Sequence, residues 1–197
     1  MNRSEFLSSY WRYYLSLERD FIKTIEYIEL SIDNYSSYSI NFARQLQSIG
    51  AELDNFFKEY CGFSLADRKN ITDYANSIIG ASGKYPAIVN QALVVKGFSI
   101  EVKPFANWNI STPKQSLKWW EAFDEIKHAR KDNMKGASLK NVLNALGGLY
   151  ILEMKHLSDI TEANHDVDIP DQESDLFALK DWSFRHISLA SAFAEIS

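Results

Sequence analysis

Cysteine is nearly missing from this chain: Cys61 is the only one. A single thiol closes no internal disulfide, so the fold needs no oxidising compartment. With no His or Asn context around it, Cys61 reads as a small core residue near a helix end, not as a nucleophile. Long hydrophobic runs are missing too. No stretch reaches the ~18 consecutive apolar residues of a membrane span. The opening MNRSEFLSSYWRYY has neither the apolar region nor the small-residue cleavage site of a signal peptide. The expected address is the cytoplasm, with no membrane partner. The N-x-S/T triplets at Asn34, Asn70 and Asn109 then carry no glycosylation meaning.

Positive charge is in deficit. The formal net charge is -5, which excludes a protein that clamps long duplex DNA over its whole surface. It also gives no support for tight binding to an anionic membrane. Catalytic signatures are absent: there is no G-x-G-x-x-G, Walker A, G-x-S-x-G or H-E-x-x-H. His128, His156, His165 and His186 are spread too widely for a sequence-local metal site, so neither a metal nor a cofactor is expected.

What remains is an ordinary globular composition, 46% hydrophobic and 24% charged, which argues against disorder over most of the length. Aromatics reach 14%, so large side chains dominate the packing. Leu7, Tyr10, Tyr14, Leu17, Phe21, Ile25, Ile28 and Ile32 recur every three or four residues, which predicts a helix from Ser4 to Ile32. Glu18, Arg19 and Lys23 fall on its polar side. A second helix is expected to start at Ser36 or Ser37 and to stop at Gly62, antiparallel to the first. Asn70 and Asp73 form a capping pair for a shorter helix ending at Gly80. Between Ser82 and Thr112 the period changes. Leu93-Val94-Val95 and Phe98 to Val102 look extended, as a small hairpin or a wrapped loop. Thr112-Pro113 reads as the start of a helix running through Arg130, and a loop from Lys131 to Gly136 follows. The last helix spans Ser138 to Ser158, with Gly147-Gly148 marking a close helix–helix approach. The expected fold class is all-α: an up-and-down bundle of four to five helices with an irregular or hairpin insertion. It fills 1–158. A solvated acidic linker follows at 159–175, with seven acidic residues and no Lys or Arg. A segment at 176–197 docks on the bundle or on a second subunit.

One constellation can carry chemistry. On a helix, Asp124, Lys127 and His128 are spaced i, i+3 and i+4 and share a face, with Arg130 at the end. From Lys114 to Lys140 there are seven Lys and Arg against four acidic residues. An imidazole beside cations and a carboxylate suits RNA backbone chemistry. His moves a proton near neutral pH, and Lys or Arg stabilises charge on a phosphate oxygen. The bland alternative is a solvated helix end whose cations meet the helix dipole. Lys131, Lys135 and Trp120 extend the set toward nucleic-acid contact, although Trp119-Trp120 reads more readily as a packing pair than as a stack for bases.

Several motifs, in order, resemble a HEPN-domain protein of an uncharacterised prokaryotic branch. They are Tyr10-Trp11-x-Tyr13-Tyr14, Leu17-Glu18-x-Asp20-Phe21, Tyr38-Ser39, Glu52-Leu53-Asp54 and Lys58-Glu59-Tyr60-Cys61. Then come Tyr85-Pro86, Pro104-Phe105-x-x-Trp108, Trp119-Trp120, Lys127-His128-x-Arg130 and Ala137-x-Leu139-x-Asn141-Val142-Leu143-Asn144-Ala145-Leu146. The resemblance implies a helical bundle that forms a homodimer. It also implies, in the active branch, a metal-independent ribonuclease of phage defence or toxin–antitoxin systems, with a possible operon-encoded protein partner. That branch carries an R-x(4–6)-H motif. Placing its His on His128 puts Phe123, followed by Asp124, where the Arg would stand, so the motif Arg is missing. The expectation is therefore twofold. Either His128 acts as general acid/base with Lys127 and Arg130 holding phosphate and Asp124 orienting the imidazole, or the chain is a non-catalytic module binding RNA, a nucleotide or a protein.

Overall fold

The computed structural model describes residues 1–163 and 166–184. His165, His186 and the rest of the 176–197 segment beyond 184 lie outside them.

The first helix is not one regular rod. α1 (Arg3–Phe6) passes into a π-helical turn (Leu7–Trp11) and then α2 (Arg12–Ile25). One extra residue per turn shifts the phase of the apolar stripe. Phe6, Trp11, Tyr14, Leu17 and Phe21 all stay buried across that shift. The helix also ends earlier than its periodicity predicts. Ile25, at its end, and Ile28, beyond it, still pack against the core, but Ile32, the last residue of the stripe, is 71% exposed.

α3 (Ile40–Cys61) starts at Ser39, whose hydroxyl accepts the Phe42 N–H at 3.0 Å. Gly62 ends it at φ +77°, the left-handed conformation that favours glycine. α4 (Ile71–Ile79) has the expected Asn70/Asp73 capping box. The predicted hairpin is present as β1 (Leu93–Val95) and β2 (Ile100–Val102). The helix expected from Thr112 to Arg130 is broken in two at Leu117: α5 (Pro113–Ser116) and α6 (Lys118–Asn133). α7 (Leu139–Ala163) is longer than predicted.

Directions alternate along the chain. Thr24 meets Asn41 at one end of α2 and α3, and Tyr10 meets Phe56 at the other. Phe57 meets Trp120, and Gly50 meets Phe123, so α6 runs back along α3. α7 starts beside α3, where Tyr38 bridges Ser138, and passes His156 against Phe56. The core lies among these four helices.

β3 (Phe177–Leu179) completes a three-stranded antiparallel sheet in the order β2-β1-β3, with Val95 opposite Phe177. The fold is thus mostly helical with a small sheet, rather than purely α. The docking segment reaches the bundle of its own chain through residue 179. Gly147 and Gly148 of α7 do admit a close neighbour, but it is the sheet side and not a helix alone. A Cβ at Gly147 would lie 2.9 Å from Leu93, and one at Gly148 3.3 Å from Phe105 and from Trp119.

The acidic stretch is not a free solvated linker where it is described. Arg3 donates to the carbonyls of Val167 and Ile169 and pairs with Asp171 at 2.7 Å. The Trp11 indole donates to the Gln172 carbonyl at 2.7 Å. Asp171, Glu173 and Asp175 are exposed, Asp168 is buried at 2%, and the carbonyls of Val167, Ile169 and Gln172 are satisfied by the bundle, which composition alone does not reveal.

Candidate functional site

α6 is an amphipathic helix held by one unusually close contact. Trp119, Trp120, Ala122, Phe123 and Ile126 are buried on its inner face. The Phe123 ring lies directly over Gly50 of α3: an added Cβ there would meet the ring at 2.2–2.6 Å. This contact fixes the helix height and turns Asp124, Lys127 and His128 outward. The position that the resemblance assigns to a charged group is core, 5% exposed and pressed against backbone.

Asp124 is the hub of the outer face. Its carboxylate accepts the Lys114 ammonium from α5, and its other oxygen lies 3.5 Å from Nε2 of His128. The hydrogen bond to Asp124 raises the Lys114 pKa. The result is a chain Lys114–Asp124–His128 that spans the break at Leu117. The imidazole is 70% exposed and stands on the outer surface, solvated on most sides.

The helix breaks again just past His128. Ala129 adopts φ −144°, ψ 61°, and the Asn133 side-chain amide donates to its carbonyl at 3.0 Å. Irregular backbone inside a helix re-aims the side chains that follow it. Arg130, Lys131 and Lys135 are exposed beyond this break, and none has an ion-pair partner among the described residues. Lys127 lies 5.7 Å from the Phe123 ring centre, also without a carboxylate. The structure therefore brings His128, Asp124 and Lys127 together on one surface turn, with Arg130, Lys131 and Lys135 following. Trp120 does not belong to that surface. It is 6% exposed, edge-on to Phe57, Tyr74, Trp119 and Phe123, and offers no ring face on which a base could stack.

Other titratable groups are accounted for differently. Burial pushes the Cys61 thiol up to about 11, which suits a core residue and not a nucleophile. His156 is pressed among Phe6, Phe56 and Tyr60, and burial lowers its pKa to about 4. No three metal-ligating side chains among the described residues converge.

Two buried acids were not legible as such in the sequence. Glu18, placed by periodicity on the polar side, is 1% exposed. It accepts hydrogen bonds from Tyr14 at 2.5 Å, from Ser174 and from the Asp175 N–H at 2.9 Å. The i, i+4 spacing to Tyr14 was its one available signal. Glu153 of α7 is wholly buried, and neither carboxylate oxygen has a hydrogen-bond partner among the described residues. Burial, and then the nearby charge of Glu52, raise its pKa well above the usual carboxylate range.

Comparison with protein-family models, with curated proteins and with solved structures finds no match to this chain.

Proposed function

We propose that this chain is a HEPN-like helical protein that acts on single-stranded RNA through the outer turn of α6, in the setting of prokaryotic defence or toxin–antitoxin systems. The observation that carries the reading is the solvated His128 imidazole, set beside Asp124 and followed by cations that no carboxylate among the described residues neutralises. Unpaired Lys and Arg in an acidic protein form a local binding patch for phosphate. RNA carries its own nucleophile, so the step needs only a proton acceptor and charge stabilisation. His128 takes the proton from a 2′-hydroxyl, whose oxygen attacks the adjacent phosphorus. The bond to the 5′-oxygen breaks, and the leaving oxygen takes a proton from the imidazolium. The products are a 2′,3′-cyclic phosphate and a 5′-hydroxyl. Lys127 and Arg130 hold the phosphate oxygens, and Asp124, itself held by Lys114, orients the ring. A homodimer that brings two such turns together would supply a second imidazole and a cleft.

A second reading has its own support. Phe123 fills the place of the motif Arg and packs in the core, which favours a module that binds RNA, or a partner protein, without cleaving it.

The test is purified protein on labelled single-stranded RNA with a chelator present, scored for binding and for cleavage, beside His128→Ala and Lys127→Ala/Arg130→Ala. Cleavage lost in His128→Ala with binding retained supports the enzyme. Binding lost in the double variant without any cleavage by the parent protein supports the module. RNA neither bound nor cut removes the enzyme and the RNA-binding module, and leaves the module that binds a partner protein.

A further inference from the structure

Several motifs that carry the resemblance are far apart in the chain, and three of them meet where the proposed RNA chemistry uses nothing. Pro104, Trp119, Asn141 and Asn144 line one cavity of about 290 Å³, between the end of β2, the start of α6 and the first turn of α7. That is close to the lower end of the size range of small-molecule sites, ~300 Å³.

The cavity is one-sided in charge. Lys103, Lys118 and Lys140 line it, against Glu101 as the lining carboxylate. Glu101 is already paired with Lys180 at 2.6 Å, and Lys118 with Glu121 at 2.8 Å. Lys103 and Lys140 have no ion-pair partner among the described residues. Such a pair of free ammonium groups at one cavity calls for a dianion. α6 also begins at this wall without a side-chain cap, which adds to the positive potential that the lysines set up.

The amides narrow the class further. Asn141 and Asn144 each donate Nδ2 to a backbone carbonyl, of Gly136 at 2.9 Å and of Lys140 at 2.8 Å. Their Oδ1 atoms are left as acceptors, which suit hydroxyl donors and not a bare phosphate. The half-buried Tyr35 gives the cavity an aromatic wall, and Trp119, 3% exposed and fixed through its Nε1–H to the Pro104 carbonyl at 2.8 Å, backs the cavity from the core. We infer that this cavity binds a small sugar phosphate. The phosphate lies between Lys103 and Lys140, the hydroxyls donate to Asn141 and Asn144, and a C–H face of the sugar rests on the aromatic wall. The site stands apart from the His128 turn and does not depend on the RNA reading.

The experiment is calorimetric titration of the whole chain with ribose 5-phosphate, ribose and inorganic phosphate. Saturable binding of ribose 5-phosphate is expected, with inorganic phosphate weaker by about tenfold or more, equivalent to one lost hydrogen-bonded group. Ribose alone should not bind. Lys103→Ala/Lys140→Ala should weaken ribose 5-phosphate by at least about tenfold, the worth of one charge-assisted contact. Both side chains are exposed, and an unchanged melting temperature confirms that the variant is folded; Lys103→Gln alone serves as the milder variant. Asn144→Ala should narrow the preference over inorganic phosphate. Absent binding, binding indifferent to the lysine variants, or inorganic phosphate bound as tightly as the sugar phosphate would each overturn the inference.

Discussion

Glu18 and Glu153 are equally buried, and their surroundings are opposite. Glu18 accepts hydrogen bonds from Tyr14, Ser174 and the Asp175 backbone, and so fastens the segment that leads into β3. Glu153 has no hydrogen-bond partner among the described residues and sits near another carboxylate, Glu52. Burial alone therefore says nothing about what an acid does. A saturated carboxylate stores stability, whereas an unpartnered one costs it. Asp124 is the third case: half-exposed, paired on one side with Lys114 and turned on the other toward an imidazole in solvent.

The comparison breaks first at Glu18. Glu18→Ala strands the Tyr14 hydroxyl, Ser174 and the Asp175 N–H in the interior, and a loss upwards of about 3 kcal/mol is expected. Urea unfolding measures the total. Hydrogen exchange should show the amides of Phe177–Leu179 losing protection before those of α7, because the anchor lies next to that strand. Even loss of protection across both would mean that Glu18 does not specifically hold the sheet.

Gly50 tests whether the α6 face is positioned by packing. Gly50→Ala drives a methyl into the Phe123 ring, an overpacking cost of about 1–3 kcal/mol. Phe123→Leu alone leaves space, and the double variant should recover part of the loss. A double-mutant cycle with no coupling would show that another contact sets the helix height.

Glu153 should behave as Glu18 in reverse. Its folded pKa is raised, so the folded state keeps a proton that the unfolded chain releases above about 4.5. Stability from this group is full at low pH and falls as pH rises toward the folded value. Glu153→Gln removes that slope and should stabilise the protein at pH 7–8 by roughly 1–3 kcal/mol. His156 works on the acid side. Its folded pKa is lowered to about 4, so stability declines as pH falls from about 6.5 towards 4. His156→Phe should flatten the acid limb and leave the neutral limb unchanged. Thermal melts from pH 4 to 8 separate the two.

The contrast also shows which parts of the molecule were legible in the residues. Signals confined to one helix turn read well: the Asn70/Asp73 box, Gly62, the apolar stripes of α3 and α7, and the grouping of Asp124 with His128. What escaped depends on partners far along the chain. β3 pairs with a strand more than eighty residues earlier, and the acidic stretch is held through its carbonyls, which net charge does not describe. The π-helical turn was hidden for a different reason. Seven residues of apolar spacing fit either phase, and only the tertiary contacts of Trp11 and Tyr14 choose between them. Trp120 shows the limit at the site itself. Next to a cationic turn its ring could face water or core, and only the neighbouring Phe57 and Tyr74 decide.

The smallest effect on stability is expected where the functional proposal is strongest. His128 is 70% exposed and its contact with Asp124 is a surface one. His128→Ala should therefore change unfolding free energy by no more than about 0.5 kcal/mol. The measurement separates the functional turn from its bland alternative, a solvated helix end whose cations meet the helix dipole. If His128→Ala leaves the melting temperature untouched and abolishes action on RNA, the turn is functional. If it instead destabilises the fold as Glu18→Ala does, the imidazole belongs with the buried anchors, and the difference between the two regions disappears.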